Sequence, residues 1–110
     1  MERIYNKLVR DNIPNIIEAN GEIAITKILD DCTYKSELEK KLYEEYKEVL
    51  EASADGRIEE LADMIEIIRA LAKLENKTLQ DVISCADIKK EKRGAFENKI
   101  YLEKVIEVSK

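Results

Sequence analysis

Four acids stand where a helix would place apolar side chains. In the stretch from Ser36 to about Ala52, the apolar stripe reads Leu38, Leu42, Val49 and Ala52, and Glu45 fills its missing heptad slot. Glu48 lies one turn further on, at the edge of that stripe. In the following stretch from about Arg57 to Leu74, Glu60 and Asp63 fall inside a broad apolar arc, on a line continued by Ile67, Ala70 and Leu74. Solvated charges would occupy the narrow polar side, which holds Glu59, Glu66, Arg69 and Lys73. An unpaired carboxylate in an apolar setting costs several kcal/mol, and converging ones repel each other as well. Protonation, pairing with Lys or Arg, or a divalent cation each relieve that cost. Packed antiparallel, the two helices bring the ExxE and ExxD pairs together as a nest of hard oxygen ligands. Such a nest suits Mg²⁺, with Mn²⁺ as a substitute, and leaves positions open for substrate phosphates. The plain alternative is a set of ordinary salt bridges.

These side chains need helices to hold them, and the chain has few helix breakers: Pro14, Gly21, Gly56 and Gly94. Glu, Lys, Leu, Ile and Ala dominate, so the expected fold class is mainly all-α, a helical bundle. A short first helix is expected with Asp11 or Asn12 as its cap, Pro14 in its first turn and Asn20-Gly21 as its stop. The two acidic helices follow, separated by Ser53-Ala54-Asp55-Gly56. Thr78, with Asp81 three residues on, opens a last helix that stops at Gly94. Ile23–Leu29 is β-branched and partly alternating, and Lys99–Val105 alternates too, so a small two-stranded β element is expected beside the helices. One domain spans 1–110.

Composition narrows the chemistry further. The 110 residues include 19 basic and 24 acidic ones, a net charge of −5, and no histidine. A histidine triad, base or metal ligand is therefore excluded. Cys32 and Cys85 form no CxxC pair, which argues against a thiolate zinc site or disulfide framework, and both are expected to be small buried or half-buried residues of a cytoplasmic protein. No apolar run approaches the roughly 18 residues of a membrane span, and a net acidic chain is a poor binder of nucleic acid polymers. Lys7 and Arg10, three apart before a helix start, could close over a polyphosphate. Lys89, Lys90, Lys92 and Arg93 fall in the last turns of a helix, where they either offset its dipole or contact phosphate.

Lys41–Glu48 followed by Glu59-Glu-Leu-Ala-Asp63 resembles the EExxE…ExxD signature of the MazG-like all-α nucleoside triphosphate pyrophosphohydrolases. These are relatives of dimeric dUTPases and of phosphoribosyl-ATP pyrophosphohydrolase. The opening Tyr5–Pro14 and the run Lys92-Arg-Gly-Ala-Phe96 resemble a small house-cleaning subgroup. The resemblance implies that Glu45, Glu48, Glu60 and Asp63 hold Mg²⁺. It also places Asp87 and Lys89 near an Asn-x-Lys element that holds metal-bound phosphate, with Asp departing from the usual Asn.

The expected activity is therefore Mg²⁺-dependent hydrolysis of a nucleoside triphosphate to monophosphate and pyrophosphate. Glu45 or Glu48 is expected as the catalytic base, Glu44 less so, and Lys7, Arg10, Asp87, Lys89 and Arg93 as substrate contacts. A nucleotide-binding or sequestering module without turnover, and a purely structural helical assembly, are the competing classes. The second long helix is apolar around most of its girth, so a face carrying Met64, Ile68 and Leu71 is expected to be covered by a second copy. The resemblance likewise implies a homodimer or a dimer of dimers.

Overall fold

Asp30 starts the first long helix, because its carboxylate accepts a hydrogen bond from the Thr33 backbone N–H at 2.7 Å. The computed structural model describes residues 1–109, and in them the protein is all-α. The helices are α1 (Ile13–Ala19), α2 (Asp31–Glu51), α3 (Ala54–Leu74) and α4 (Leu79–Arg93). They fall in two compact units, Met1–Leu79 and Gln80–Lys110. No helix among the described residues is long and apolar enough to cross a membrane.

In the first unit, α2 and α3 form a helical hairpin joined by only Ala52 and Ser53. The join is tighter than the expected four-residue turn. Both junction residues are extended, Ala54 enters α3 with φ +51°, and Gly56 lies inside the helix. The Arg57 guanidinium donates to the Ala52 carbonyl at 3.2 Å, tying the end of α2 to the start of α3. The well-buried residues, Leu38, Ile67 and Ala72, all belong to this hairpin, with Leu42, Val49, Met64, Ile68 and Leu71 half-buried beside them.

Helix ends follow backbone logic. Gly21 (φ +84°) closes α1: its N–H donates to Glu18 O and the Glu22 N–H to Ile17 O, the paired bonds of a Schellman motif. Asn76 (φ +59°) does the same for α3, through Asn76 N–H to Lys73 O and Lys77 N–H to Ala72 O. Asn12 stands at the start of α1 but makes no side-chain capping bond.

Several expectations are corrected. Neither Ile23–Leu29 nor Lys99–Val105 forms a strand, and no strand occurs among the described residues. Alternation puts apolar groups on one face but supplies no partner for the backbone, and here none is supplied: Ile28 is 97% exposed and Tyr101 88%. Helix α2 starts at Asp31, five residues earlier than Ser36, because the Asp30 cap captures the intervening turn. Cys32 and Cys85 are both exposed free thiols, since each lies on a helix face that nothing covers.

Candidate functional site

The expected convergence of acids occurs on one edge of the α2–α3 hairpin. Carboxylate oxygens of Glu45 from α2 and of Glu60 and Asp63 from α3 all lie within 4.8 Å of one another. The three are half-buried, and Glu48 stands more exposed at the rim, close enough to Glu45 and Glu60 to perturb both. Helical phase explains the placement. Leu38, Leu42 and Val49 turn towards α3; Glu45 stands within that row and Glu48 on its flank. On α3, Glu60 likewise falls among Ile67 and Leu71, with Asp63 at the side of them.

The arrangement is short of positive charge. Arg10 donates to Asp63 Oδ1 at 2.7 Å, and both side chains are about half exposed. No Lys or Arg pairs with Glu45 or Glu60 among the described residues. Glu45 Oε2 and Glu60 Oε2 are shut off from solvent without a hydrogen-bond partner among the described residues. The groups facing Glu60 are acids, which as ions only accept hydrogen bonds. The Glu60 carboxyl is consequently pushed up to about 7, by hydrogen bonding to the Glu48 carboxylate first, then to Glu45, then by desolvation and like-charge repulsion. Glu45 is also raised, by burial first; a hydrogen bond from Glu60 pulls it back, while the charges of Glu48 and Asp63 push it further.

A hard divalent cation would answer each of these features, since it supplies charge and occupies the orphaned oxygens. Adjacent oxygens on a Mg²⁺ at about 2.1 Å would lie about 3 Å apart, so carboxylates spaced within 4.8 Å would draw closer together to hold it. Glu45, Glu60 and Asp63 fit as ligands, and Glu48 is within reach as a fourth or as a base.

The remaining expected site residues are placed less tightly. Arg10 reaches the nest, but as the ion-pair partner of Asp63. Lys7 sits apart, with its ammonium 5.4 Å from the centre of the Tyr5 ring. Glu44 is half-buried on α2 and is not in the cluster of three. Asp87, Lys89 and Arg93 are exposed on α4, in the second unit. There a cavity of about 380 Å³ is lined by Lys90, Arg93, Phe96, Glu97, Asn98 and Lys99. Of these, Lys99 was legible only as part of an alternating run, with no signal marking it as a site residue. Compared with known proteins, the chain matches no family model, no curated protein and no solved structure.

Proposed function

We propose that this protein is a Mg²⁺-dependent pyrophosphohydrolase that cleaves a nucleoside triphosphate, or a related nucleotide, to monophosphate and pyrophosphate. One observation carries the reading: three carboxylates converge within 4.8 Å, two of them with buried oxygens that have no hydrogen-bond partner among the described residues. The resemblance of Lys41–Glu48 and Glu59–Asp63 to the MazG-like signature supports the same chemistry.

Glu45, Glu60 and Asp63 would hold the metal, which supplies charge neutralisation at the phosphates and polarises water. Glu48, exposed at the rim, is the group best placed to take a proton from an attacking water, with Glu45 as the deeper alternative. Arg10 would release Asp63 to the metal and turn to a phosphate oxygen, a bidentate partner its guanidinium fits. Lys89, Arg93 and Asp87 belong to the second unit, and the reading of the nest does not depend on them.

A panel of nucleotides incubated with Mg²⁺, read by pyrophosphate release and product chromatography, tests this directly. Turnover of one or more nucleotides, lost on chelation, is expected. No turnover with Mg²⁺ or Mn²⁺ at high protein concentration overturns the enzyme. Tight nucleotide binding without product would then assign the chain to the non-catalytic class.

A homodimer is part of the same proposal. Tyr43, Tyr46 and Leu50 on α2 and Ile58, Leu61 and Ile65 on α3 are exposed, at matching levels along the hairpin. By helical phase both rows lie on the edge away from the acids, a better candidate for a self-complementary interface than the half-buried Met64, Ile68 and Leu71. Sedimentation equilibrium at micromolar concentration should give twice the 12.7 kDa chain mass or a multiple of it. A single 12.7 kDa species would exclude it. Two exposed free thiols suit a reducing, cytoplasmic setting.

A further inference from the structure

The second unit carries a separate concentration of charge. Lys89, Lys90, Lys92, Arg93 and Lys99 oppose only Glu91 and Glu97 between residues 88 and 99, in a chain whose net charge is −5. A solvent-open cleft of about 380 Å³ lies within this segment, and the side chains around it are exposed. Lys90, Arg93 and Lys99 line it against a single acid, Glu97. Its aromatic wall, Phe96, is 96% exposed, an apolar ring with both faces in water. Loop geometry sets these groups around the cavity. Gly94 turns the chain out of α4 at φ +82°, with its N–H on Lys90 O at 2.7 Å. Lys99 is held at φ +58° by its N–H donating to Phe96 O at 3.1 Å. A left-handed lysine is a sparsely populated backbone state, of the kind that gathers at ligand clamps.

Helix-dipole complementarity alone does not account for the cations. The C-terminus of a helix carries about half a negative charge, whereas the cavity lining leaves two positive charges after Glu97 is counted. A surplus of donors beside an uncovered ring matches a ligand that is anionic at one end and flat and aromatic at the other. We infer that this cavity binds a nucleotide independently of the acidic nest, with its base stacked on Phe96 and a phosphate held by Arg93 and Lys99. Base–aromatic stacking tolerates any base, because every base offers a π-face. The Arg93 fork can hold two phosphate oxygens at once. Only the choice of a nucleotide as ligand rests on the pyrophosphohydrolase reading, since the binding itself calls for no metal.

The experiment is calorimetric binding of ATP and of inorganic tripolyphosphate to the full chain in EDTA, where the acids hold no cation. ATP should bind more tightly than tripolyphosphate. Phe96→Ala should weaken ATP about tenfold and leave tripolyphosphate unchanged. Arg93→Ala should weaken both by about tenfold or more, and Phe96→Tyr should restore ATP binding. Circular dichroism of each variant, matched to the parent, excludes unfolding as the cause. Glu60→Gln, in the nest, should leave binding in EDTA unaltered while removing Mg²⁺-dependent turnover. Absence of ATP binding in EDTA, or equal loss of ATP and tripolyphosphate on Phe96→Ala, overturns the proposal, and neither result bears on turnover with Mg²⁺.

Discussion

The α2–α3 hairpin and the α4 unit handle charge in opposite ways. The hairpin contains every well-buried residue described, and it holds acids against one another on the flank of that small core. Helix α4 has no buried residue; its Val82, Ile83 and Ile88 are exposed, and its cations cluster at its C-terminal end and in the loop beyond. Packing explains the contrast. Two helices locked by Leu38 and Ile67 can hold carboxylates closer than they would settle in water, because the core stabilises what the charges oppose. A helix without a core cannot store repulsion, so its charged groups must be spread over the surface. The hairpin therefore suits the proposed cation site, and the α4 unit the proposed, looser anion site.

The largest expected effect breaks the hairpin's half of this comparison. Glu60→Gln should lower Mg²⁺-dependent turnover by more than about a hundredfold, since even groups that only support a ligand cost 10–100-fold. The same variant without metal should be at least as stable as the parent, because a repelled carboxylate becomes neutral. Asp63→Asn sharpens the point: it also removes turnover, but forfeits the half-exposed Arg10 pair, a loss of up to about 1 kcal/mol. If Glu60 were half of a buried salt bridge, its removal would instead cost about 3–5 kcal/mol. Thermal melts of both variants in EDTA decide.

Ligand linkage gives the next effect. Mg²⁺ with nucleotide at about 100 times its Kd should add about 2.7 kcal/mol, a rise in Tm of roughly 10–20 °C for a domain of this size. Glu60→Gln should abolish the Mg²⁺-dependent part. An unchanged parent Tm would support a structural assembly without a ligand.

Metal-free stability should also depend on pH, with a definite sign. Glu60 is raised from an ordinary 4.5 to about 7, so between those values the folded chain binds more protons than the unfolded one. Its contribution is fully present below about pH 4.5 and is lost as pH rises through 7. Melts in EDTA at pH 5, 6, 7 and 8 should show this decline, and Glu60→Gln should flatten it. A Tm that climbs steadily over the same interval would show that Glu60 is stabilised as an anion.

The hairpin's acids were legible because a heptad slot is a local property: Glu45 interrupts a row that Leu38, Leu42 and Val49 define within one helix. The all-α class was legible from composition, rich in Glu, Lys, Leu, Ile and Ala with few helix breakers. What was not legible depends on distant partners. Ile23–Leu29 has the pattern of a strand, yet a strand exists only if another backbone satisfies it. Cys32 and Cys85 are small and apolar, but burial is decided by what covers a face. The Arg10–Asp63 pair spans 53 positions, and nothing near either residue announces the other. Asp30 caps α2 through the Thr33 N–H, whereas the apolar stripe that marks this helix in the sequence begins only at Leu38.

The smallest expected effects compare the two regions through glycine. Gly56 lies inside α3, outside the left-handed region, and an added Cβ would meet only Ala52 Cβ at 3.9 Å, an ordinary contact. Gly56→Ala should therefore stabilise the hairpin by up to about 1 kcal/mol, the helix-propensity difference. Gly94 has open space around it, but its φ is +82°. Gly94→Ala forces an L-residue into the left-handed region at a cost of about 1–2 kcal/mol. Because α4 has no buried residue to hold it, that cost should appear as unwinding of its last turn. Faster amide hydrogen exchange in α4, with the hairpin's rates unchanged, is the expected signature. Slowed exchange across α4 in Gly94→Ala would mean that this end of the chain is fixed by packing against a partner rather than by its own backbone.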